Sequence, residues 1–251
     1  MSISSTGWVK IAGLGPGNEA LVTAEVQDVL ADATDVVGYI PYVKRVEPRA
    51  GLTLHASDNR VEVERATHAL EMAAEGKRVV VVSSGDPGVF AMASAVFEAL
   101  EAGDLAWLDI DIQVLPGITA MLAASARIGA PMGHDFAAIN LSDNLKPWSL
   151  IEKRLRLAGE AGFAMGFYNP RSKSRPHQFG RALEILREAC GGETLISFAR
   201  DVSKPGETIT TVTLNEATAE MADMRTVVIV GNADTRRVGR YVYTPRFAED
   251  G

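Results

Sequence analysis

Four consecutive valines, Val79-Val80-Val81-Val82, run straight into Ser83-Ser84-Gly85-Asp86-Pro87-Gly88-Val89-Phe90. A β-branched run without polar alternation reads as a strand buried on both faces. A tight Gly-Asp-Pro-Gly turn follows it, and a helix is expected behind the turn. An open α/β sheet places its ligand here, outside the carboxyl ends of its strands. The turn offers backbone N–H groups and one carboxylate, so it reads as a small-molecule site.

The same alternation extends along the chain. Strands are expected at residues 8–12, 35–39, 52–55, 79–83 and 110–115, and helices at 19–31, 60–75 and 89–101. Gly76 stands where a helix-terminating glycine is wanted. Strands alternating with helices imply a mainly parallel sheet covered on both faces. After the Pro116-Gly117 turn the pattern changes. Strands are expected at 136–141, 163–168, 194–199, 208–213 and 226–230, with a hairpin around Pro205-Gly206. Helices are expected at 118–127, 148–158, 177–189 and 214–221. The fold class is therefore α/β. It comprises two α/β domains, residues 1–116 and 117–251, each with a mostly parallel or mixed sheet of about five strands. No repeat or low-complexity segment is visible. The tail from Arg236 is charged and is expected to be partly mobile.

Lys and Arg number 25 against 32 Asp and Glu, a net charge of −7. This argues against a nucleic-acid or membrane-surface role, where a basic footprint is expected. An anionic ligand in a locally basic cleft stays open. Cys190 is the only cysteine, so neither an intrachain disulfide nor a Cys-rich metal centre can form. His55, His68, His134 and His177 show no paired-ligand spacing, and no metal site is expected. Residues 1–6 are short and polar, and no apolar run of about 18 residues occurs. A cytoplasmic enzyme is the expectation.

Each motif has a plain reading beside a functional one. Gly13-Leu14-Gly15-Pro16-Gly17 follows a strand, as a dinucleotide loop would. That fingerprint wants glycine at Asn18 and an acidic residue where Gly38 and Tyr39 stand. No P-loop pattern occurs either. The plain reading is a turn that needs glycine. Asp86 with Pro87 matches a helix N-cap with proline at N1. That leaves Gly85 and Gly88 unexplained, and flanking glycines suggest that something approaches the backbone. Arg171, Lys173 and Arg175 form the densest basic cluster in an acidic chain. Such a run is often a solvated loop, but here it follows a strand, and arginine recognises carboxylate or phosphate bidentately. Lys44, Arg45 and Arg49 form a second patch near Tyr39 and Tyr42, which read plainly as rim residues. His134-Asp135 and the segment 140–144 bracket one strand, and a lone histidine is more often structural than catalytic.

Taken in order, Gly13-Leu14-Gly15-Pro16-Gly17, Ser84-Gly85-Asp86-Pro87-Gly88, Pro116-Gly117-Ile118-Thr119-Ala120 and Val227-Val228-Ile229-Val230-Gly231-Asn232 resemble the class III tetrapyrrole methyltransferases, which use S-adenosylmethionine. Three further stretches resemble the branch of that family acting on precorrin-3B in cobalamin biosynthesis. They are Val37-Gly38-Tyr39-Ile40-Pro41-Tyr42, His134-Asp135-Phe136 with Leu141-Ser142-Asp143, and Tyr168-Asn169-Pro170-Arg171-Ser172-Lys173. The resemblance implies two α/β domains with the cofactor in the cleft between them, usually in a homodimer. It implies methylation of C17 of a polyanionic tetrapyrrole, with ring contraction to precorrin-4 and S-adenosylhomocysteine as product. Carried over by position, it implies that Pro16, Ser84, Gly85, Asp86, Val89, Phe90, Thr119, Ala120, Tyr168, Asn169 and Ala199 bind the cofactor. Gly15, Tyr42, Arg171 and Lys173 are implied to bind substrate.

A sulfonium methyl is already activated, so methyl transfer mainly needs in-line placement of the two reactants. It requires neither a metal nor a covalent nucleophile. Ring contraction needs proton transfers, for which His134, Asp143, Asp58 and Tyr39 are the acid or base candidates. The alternatives are a tetrapyrrole methyltransferase acting at another carbon or on a cobalt-containing factor III, a diphthine-type methyltransferase acting on a protein, and a non-catalytic or dinucleotide-binding α/β protein.

Overall fold

The first unit of the computed structural model, Met1–Thr119, is built on five parallel strands; the described residues are 7–58 and 61–247. Its elements are β1 (Trp8–Gly13), α1 (Ala24–Asp32), β2 (Asp35–Tyr39), α2 (Ile40–Val43), β3 (Thr53–Ser57), α3 (Glu62–Ala74), β4 (Arg78–Ser83), α4 (Met92–Ala102) and β5 (Asp111–Leu115). The strand order is β3-β2-β4-β1-β5, and every adjacent pair is parallel. This arrangement explains the valine run. Successive strand side chains face opposite sides. Val79 and Val81 therefore pack with Ala69 and Leu70 of α3 and Val96 of α4, while Val80 and Val82 pack with Val26 of α1. Both faces are covered, so neither face of β4 can carry polar residues.

Parallel strands put all their carboxyl ends on one edge. The segments 14–17, 40–42, 84–90 and 116–119 all leave the sheet there. So does Asp58, because Ser57 is paired with Tyr39.

Three expectations are corrected in this unit. The helix expected at 19–31 is split into a 3₁₀ turn, Glu19–Leu21, and α1. The Asn18 side chain caps the turn, and Thr23 caps α1 by accepting from Val26 N–H at 3.3 Å. No helix begins behind Asp86; α4 starts at Met92 with Ala91 as its N-cap. Between them Phe90 adopts a left-handed backbone, φ 54°. The helix expected from residue 60 begins at Glu62, and Arg60 lies outside the described residues.

The second unit, Ala120–Gly251, contains α5 (Ala120–Ile128), β6 (Gly129–Ala130), β7 (Phe136–Asn140), α6 (Trp148–Glu160), β8 (Ala164–Tyr168), α7 (Gln178–Cys190), β9 (Leu195–Arg200), β10 (Thr208–Thr213), β11 (Thr226–Val230), β12 (Arg236–Val238) and β13 (Tyr241–Tyr243). Its main sheet is mixed, in the order β10-β9-β11-β8-β7. β7 and β8 are parallel; the other pairs are antiparallel. Val228 and Val230 join the core with Phe179 and Leu183 of α7, whereas Val227 and Ile229 face Met121 and Ala124 of α5. Gly166 is required for that second packing, since a Cβ there would lie 2.2 Å from Met121 Sδ.

The helix expected at 214–221 reduces to a 3₁₀ turn, Ala219–Met221. Glu216 Oε2 accepts from Thr213 N–H and Oγ1, which closes a turn instead of starting a helix. The tail is not loose at its start. β12 and β13 form a hairpin at Gly239, and β13 pairs with β6. The last four residues lie outside the described range. Among the described residues no helix is long and apolar enough to cross a membrane.

Candidate active site

At the carboxyl edge of the first unit, three glycines from three loops touch. A Cβ on Gly117 would lie 2.1 Å from the Gly85 carbonyl oxygen and 2.8 Å from that of Gly13. A Cβ on Gly13 would lie 2.5 Å from the Gly85 oxygen. Gly15 and Gly85 also exchange backbone hydrogen bonds, at 3.2 and 2.9 Å. The chain's own backbone therefore approaches these glycines, which accounts for much of the glycine pattern in the sequence.

Asp86 completes the mesh. Its Oδ1 accepts from Gly88 N–H at 2.8 Å and its Oδ2 from Gly117 N–H at 3.1 Å. It is not a helix cap. The carboxylate joins the loop after β4 to the loop after β5 and keeps lone pairs for a ligand. Gly15 and Pro16 are buried beside it, Ser84 and Val89 are half-buried, and the Phe90 ring is exposed. Thr119 is buried where this unit ends.

Two arginines that sequence reading placed in a basic patch work as clamps, Arg45 on this edge and Arg49 at the opposite, amino edge of the sheet. Arg45 donates to the carbonyls of Leu14 and Gly15 and pairs with Glu19 at 3.0 Å. Arg49 donates to the carbonyls at the end of α1, Leu30, Ala31 and Ala33. Lys44 of that patch is exposed. Arg65 was missed altogether. It is buried, and it donates to Ser57 Oγ at 2.9 Å, to the Asp58 carbonyl and towards Met92 Sδ. Burial lowers its pKa, against the opposing pull of Glu62 and Tyr42. Tyr39 and Tyr42 meet edge to face, 5.3 Å between centroids. Burial, helped by Tyr39, pushes the Tyr42 phenol above its ordinary range.

In the second unit the carboxyl ends of β7, β8 and β9 share one edge. Asn169 takes a left-handed backbone, φ 53°, and its Nδ2 donates to Asn140 Oδ1 at 3.0 Å. Tyr168 Oη accepts from Met121 N–H at 2.9 Å, which ties β8 to the first turn of α5. Ala120 stands one residue before that bond. Tyr168→Phe is expected to cost about 1–2 kcal/mol by orphaning this donor, and urea denaturation measures it; an unchanged midpoint would refute the tie. Arg175 is buried. It donates to the carbonyls of Leu141 and Asn169, both at 3.1 Å, and stands 3.7 Å from Asp143. Arg171 and Lys173 remain at the surface of this segment. Arg171 lies 3.9 Å from Glu220, and Lys173 is exposed. Asp143, which also accepts from Gln178 at 3.3 Å, thus has structural partners.

Two further features mark this edge. Asp201 and Ser203 follow β9 with φ of 51° and 63°. Ser203 Oγ is buried without a hydrogen-bond partner. Nothing in its sequence context distinguished it. Ala199 is fully buried in the core against α5, so its side chain packs there. The pKa of Lys146 is lowered by burial, then by Arg154 and Arg175.

The structure does not bring His134 to this edge. His134 precedes β7 and Asp143 follows it, and a five-residue strand spans about 16 Å. His134 lines a cavity of about 210 Å³ with Phe163, Asn232 and Asp234, at the opposite edge of the sheet. The segment 227–232 is likewise a buried strand ending in a turn at that far edge. Gly231 leaves room there for Thr235, whose Oγ1 a Cβ would meet at 2.3 Å. Burial pushes the Cys190 thiol up to about 11, which leaves it a poor nucleophile.

Comparison with known proteins fits this geometry. The family model for tetrapyrrole (corrin/porphyrin) methylases matches residues 9–218. A Sinorhizobium sp. protein, precorrin-3B C(17)-methyltransferase, is 50% identical over 247 residues, covering 96% of this chain and 97% of its own. The crystal structure of the methyltransferase CobJ superposes with a TM-score of 0.93 at 71% identity, covering 95% of this chain and all of that one. A uroporphyrin-III C-methyl transferase from Thermus thermophilus, solved with S-adenosylhomocysteine, shares the fold with a TM-score of 0.66 at 22% identity, covering 90% of this chain and 97% of its own.

Proposed function

The chain belongs to the tetrapyrrole methylase family, and from that membership we propose that it transfers the methyl group of S-adenosylmethionine to C17 of precorrin-3B, with ring contraction to precorrin-4, in the cytoplasm. The observation that carries this reading is the gathering of the resembling loops: Gly13–Gly17, Ser84–Phe90 and Pro116–Thr119 meet at one sheet edge through Asp86 and the glycine mesh. A cobalt-containing factor III is the alternative substrate.

In this reading Asp86, the backbone of Gly85, Val89, Phe90 and Thr119 hold the cofactor in the first unit, with Pro16 and Ser84 beside them. Tyr168, Asn169 and the backbone around Ala120 and Ala199 hold it in the second. The donor set of the first unit fits: a carboxylate with spare lone pairs and an exposed aromatic ring. Bound S-adenosylmethionine supplies an activated sulfonium methyl. The chain's work is then to place the substrate carbon in line at near-attack distance. Asp86 binds away from the sulfur, since negative charge beside a sulfonium would stabilise the ground state.

Of the acid and base candidates, Tyr39 and Asp58 share the edge of the glycine loops and suit the ring-contraction proton transfers. Asp143 is held by Gln178 and Arg175, and His134 stands at the far edge. Gly15 and Tyr42 border the substrate. A homodimer belongs to the same reading, supported by the resemblance, and analytical ultracentrifugation decides it.

Incubation with labelled S-adenosylmethionine and precorrin-3B, followed by mass and absorption spectra, tests the reaction. No labelled tetrapyrrole means the reading is wrong, and labelling of cobalt-factor III alone selects the alternative. Arg171 and Lys173 are proposed to hold substrate carboxylates. Arg171→Ala should raise the substrate KM about 10–100-fold, the value of one charged hydrogen bond, and leave S-adenosylhomocysteine affinity unchanged. An unaltered KM removes that role.

A further inference from the structure

We propose that His55 and His68 form a two-imidazole site for a divalent transition-metal ion, separate from the methyl-transfer machinery. His55 lies in the middle of β3, and His68 lies on α3. His55 Nδ1 and His68 Nε2 are 3.4 Å apart, with ring centroids at 5.1 Å and planes inclined by 71°. That spacing is too long for a good N–H donor bond, which lies at 2.7–3.2 Å. It matches two nitrogens on one tetrahedral ion: zinc–nitrogen bonds of about 2.0–2.1 Å put their nitrogens about 3.3–3.4 Å apart.

The partner of His55 supports the same reading. Its Nε2 meets Asp35 Oδ1 at 2.8 Å. Asp35 is buried at 5% exposure and accepts from Thr34 Oγ1 at 2.8 Å. An ionised carboxylate only accepts, so the His55 proton sits on Nε2 and the Nδ1 lone pair faces His68. A carboxylate behind a histidine in this way orients the ring and raises its basicity as a ligand. His68 is exposed and the His55 side chain is 27% exposed, so hydrated ions have access. Glu64 and Glu71 flank His68 one turn away on the same helix face and add favourable charge. Among the described residues no group of three or more His, Cys, Asp or Glu encloses a metal. The remaining coordination positions therefore go to water. Imidazole ligands suit zinc, nickel and copper.

The site lies along the seam of β3 and α3. Two residues on in β3, Ser57 bonds Arg65, which is three residues before His68. An ion at the pair would fasten the edge strand to α3 at a second point.

Calorimetric titration of the tag-free full chain with Zn²⁺ and Ni²⁺, with thermal melts alongside, tests this. The expected result is one ion per chain, micromolar affinity and a raised melting midpoint. His68→Ala, an exposed helix substitution that keeps the fold, should lose all three. Asp35→Asn should bind about 10–100-fold more weakly. Equal binding by wild type and His68→Ala, or no binding by either, overturns the proposal.

Discussion

Gly117→Ala is expected to weaken S-adenosylhomocysteine binding at least about 100-fold and to destabilise the protein by about 3–5 kcal/mol. The new methyl would overlap the Gly85 and Gly13 carbonyl oxygens, at 2.1 and 2.8 Å. Neither can move cheaply. Gly13 is the last residue of β1, paired with Ser83, and Gly85 is fastened to Gly15 by two backbone bonds. The loop after β5 must therefore shift, which breaks the bond from Gly117 N–H to Asp86. Overpacking costs about 1–3 kcal/mol, and a lost hydrogen bond to a charged group about 1.5–3 more. The fold survives from a typical 5–15 kcal/mol. The cofactor loops do not keep their places, and about 2.7 kcal/mol of lost binding is the 100-fold. Gly88→Ala is the control, because its Cβ meets only Asp86 Oδ1 at 3.2 Å. Calorimetry on both variants decides. Wild-type affinity in Gly117→Ala would show that the mesh does not position the site.

Features with a local cause could be read ahead of the structure. The valine run, the ten strands of the two main sheets and the hairpin at Pro205-Gly206 depend on neighbours in sequence, and each forms. What could not be read depends on distant partners. Arg45, Arg65 and Arg175 are ordinary charges in sequence, and only the folded chain shows that each grips loop carbonyls. The Asp86 carboxylate accepts hydrogen bonds from Gly88 and from a residue 31 positions on. His55 and His68 are 13 residues apart, a spacing that belongs to no metal motif, yet β3 and α3 bring their rings together. His134 and Asp143 stand in the segments that bracket one strand, and the length of that strand keeps them apart. Split helices such as the one at Thr23 escaped because the apolar stripe continues through the cap.

Arg175→Ala should cost about 3–5 kcal/mol, whereas Arg171→Ala should cost almost nothing, although the two stand four residues apart in one basic run. The difference lies in burial. The Arg175 side chain is 8% exposed, and its Nη1 alone holds two carbonyls, Leu141 and Asn169, from the loops after β7 and β8. Alanine would leave both carbonyls short of a donor and Asp143 without its cation, and removing one partner of a buried pair typically costs this much. For a chain of this size, a fall of about 10 °C in Tm follows. Lysine would restore the charge but not the separate nitrogens, Nη1 at the two carbonyls and Nε towards Asp143, so Arg175→Lys should recover less than half of the loss. Arg171 has only a carbonyl at 3.4 Å and a carboxylate at 3.9 Å, both near solvent, and exposed pairs of this kind contribute little. Its substitution should leave Tm within about 1 °C and appear only in the substrate KM. Thermal melts of the three variants beside their kinetics separate the roles. If Arg175→Ala melts like wild type, Arg175 is not the clamp that fixes the Asn169 loop.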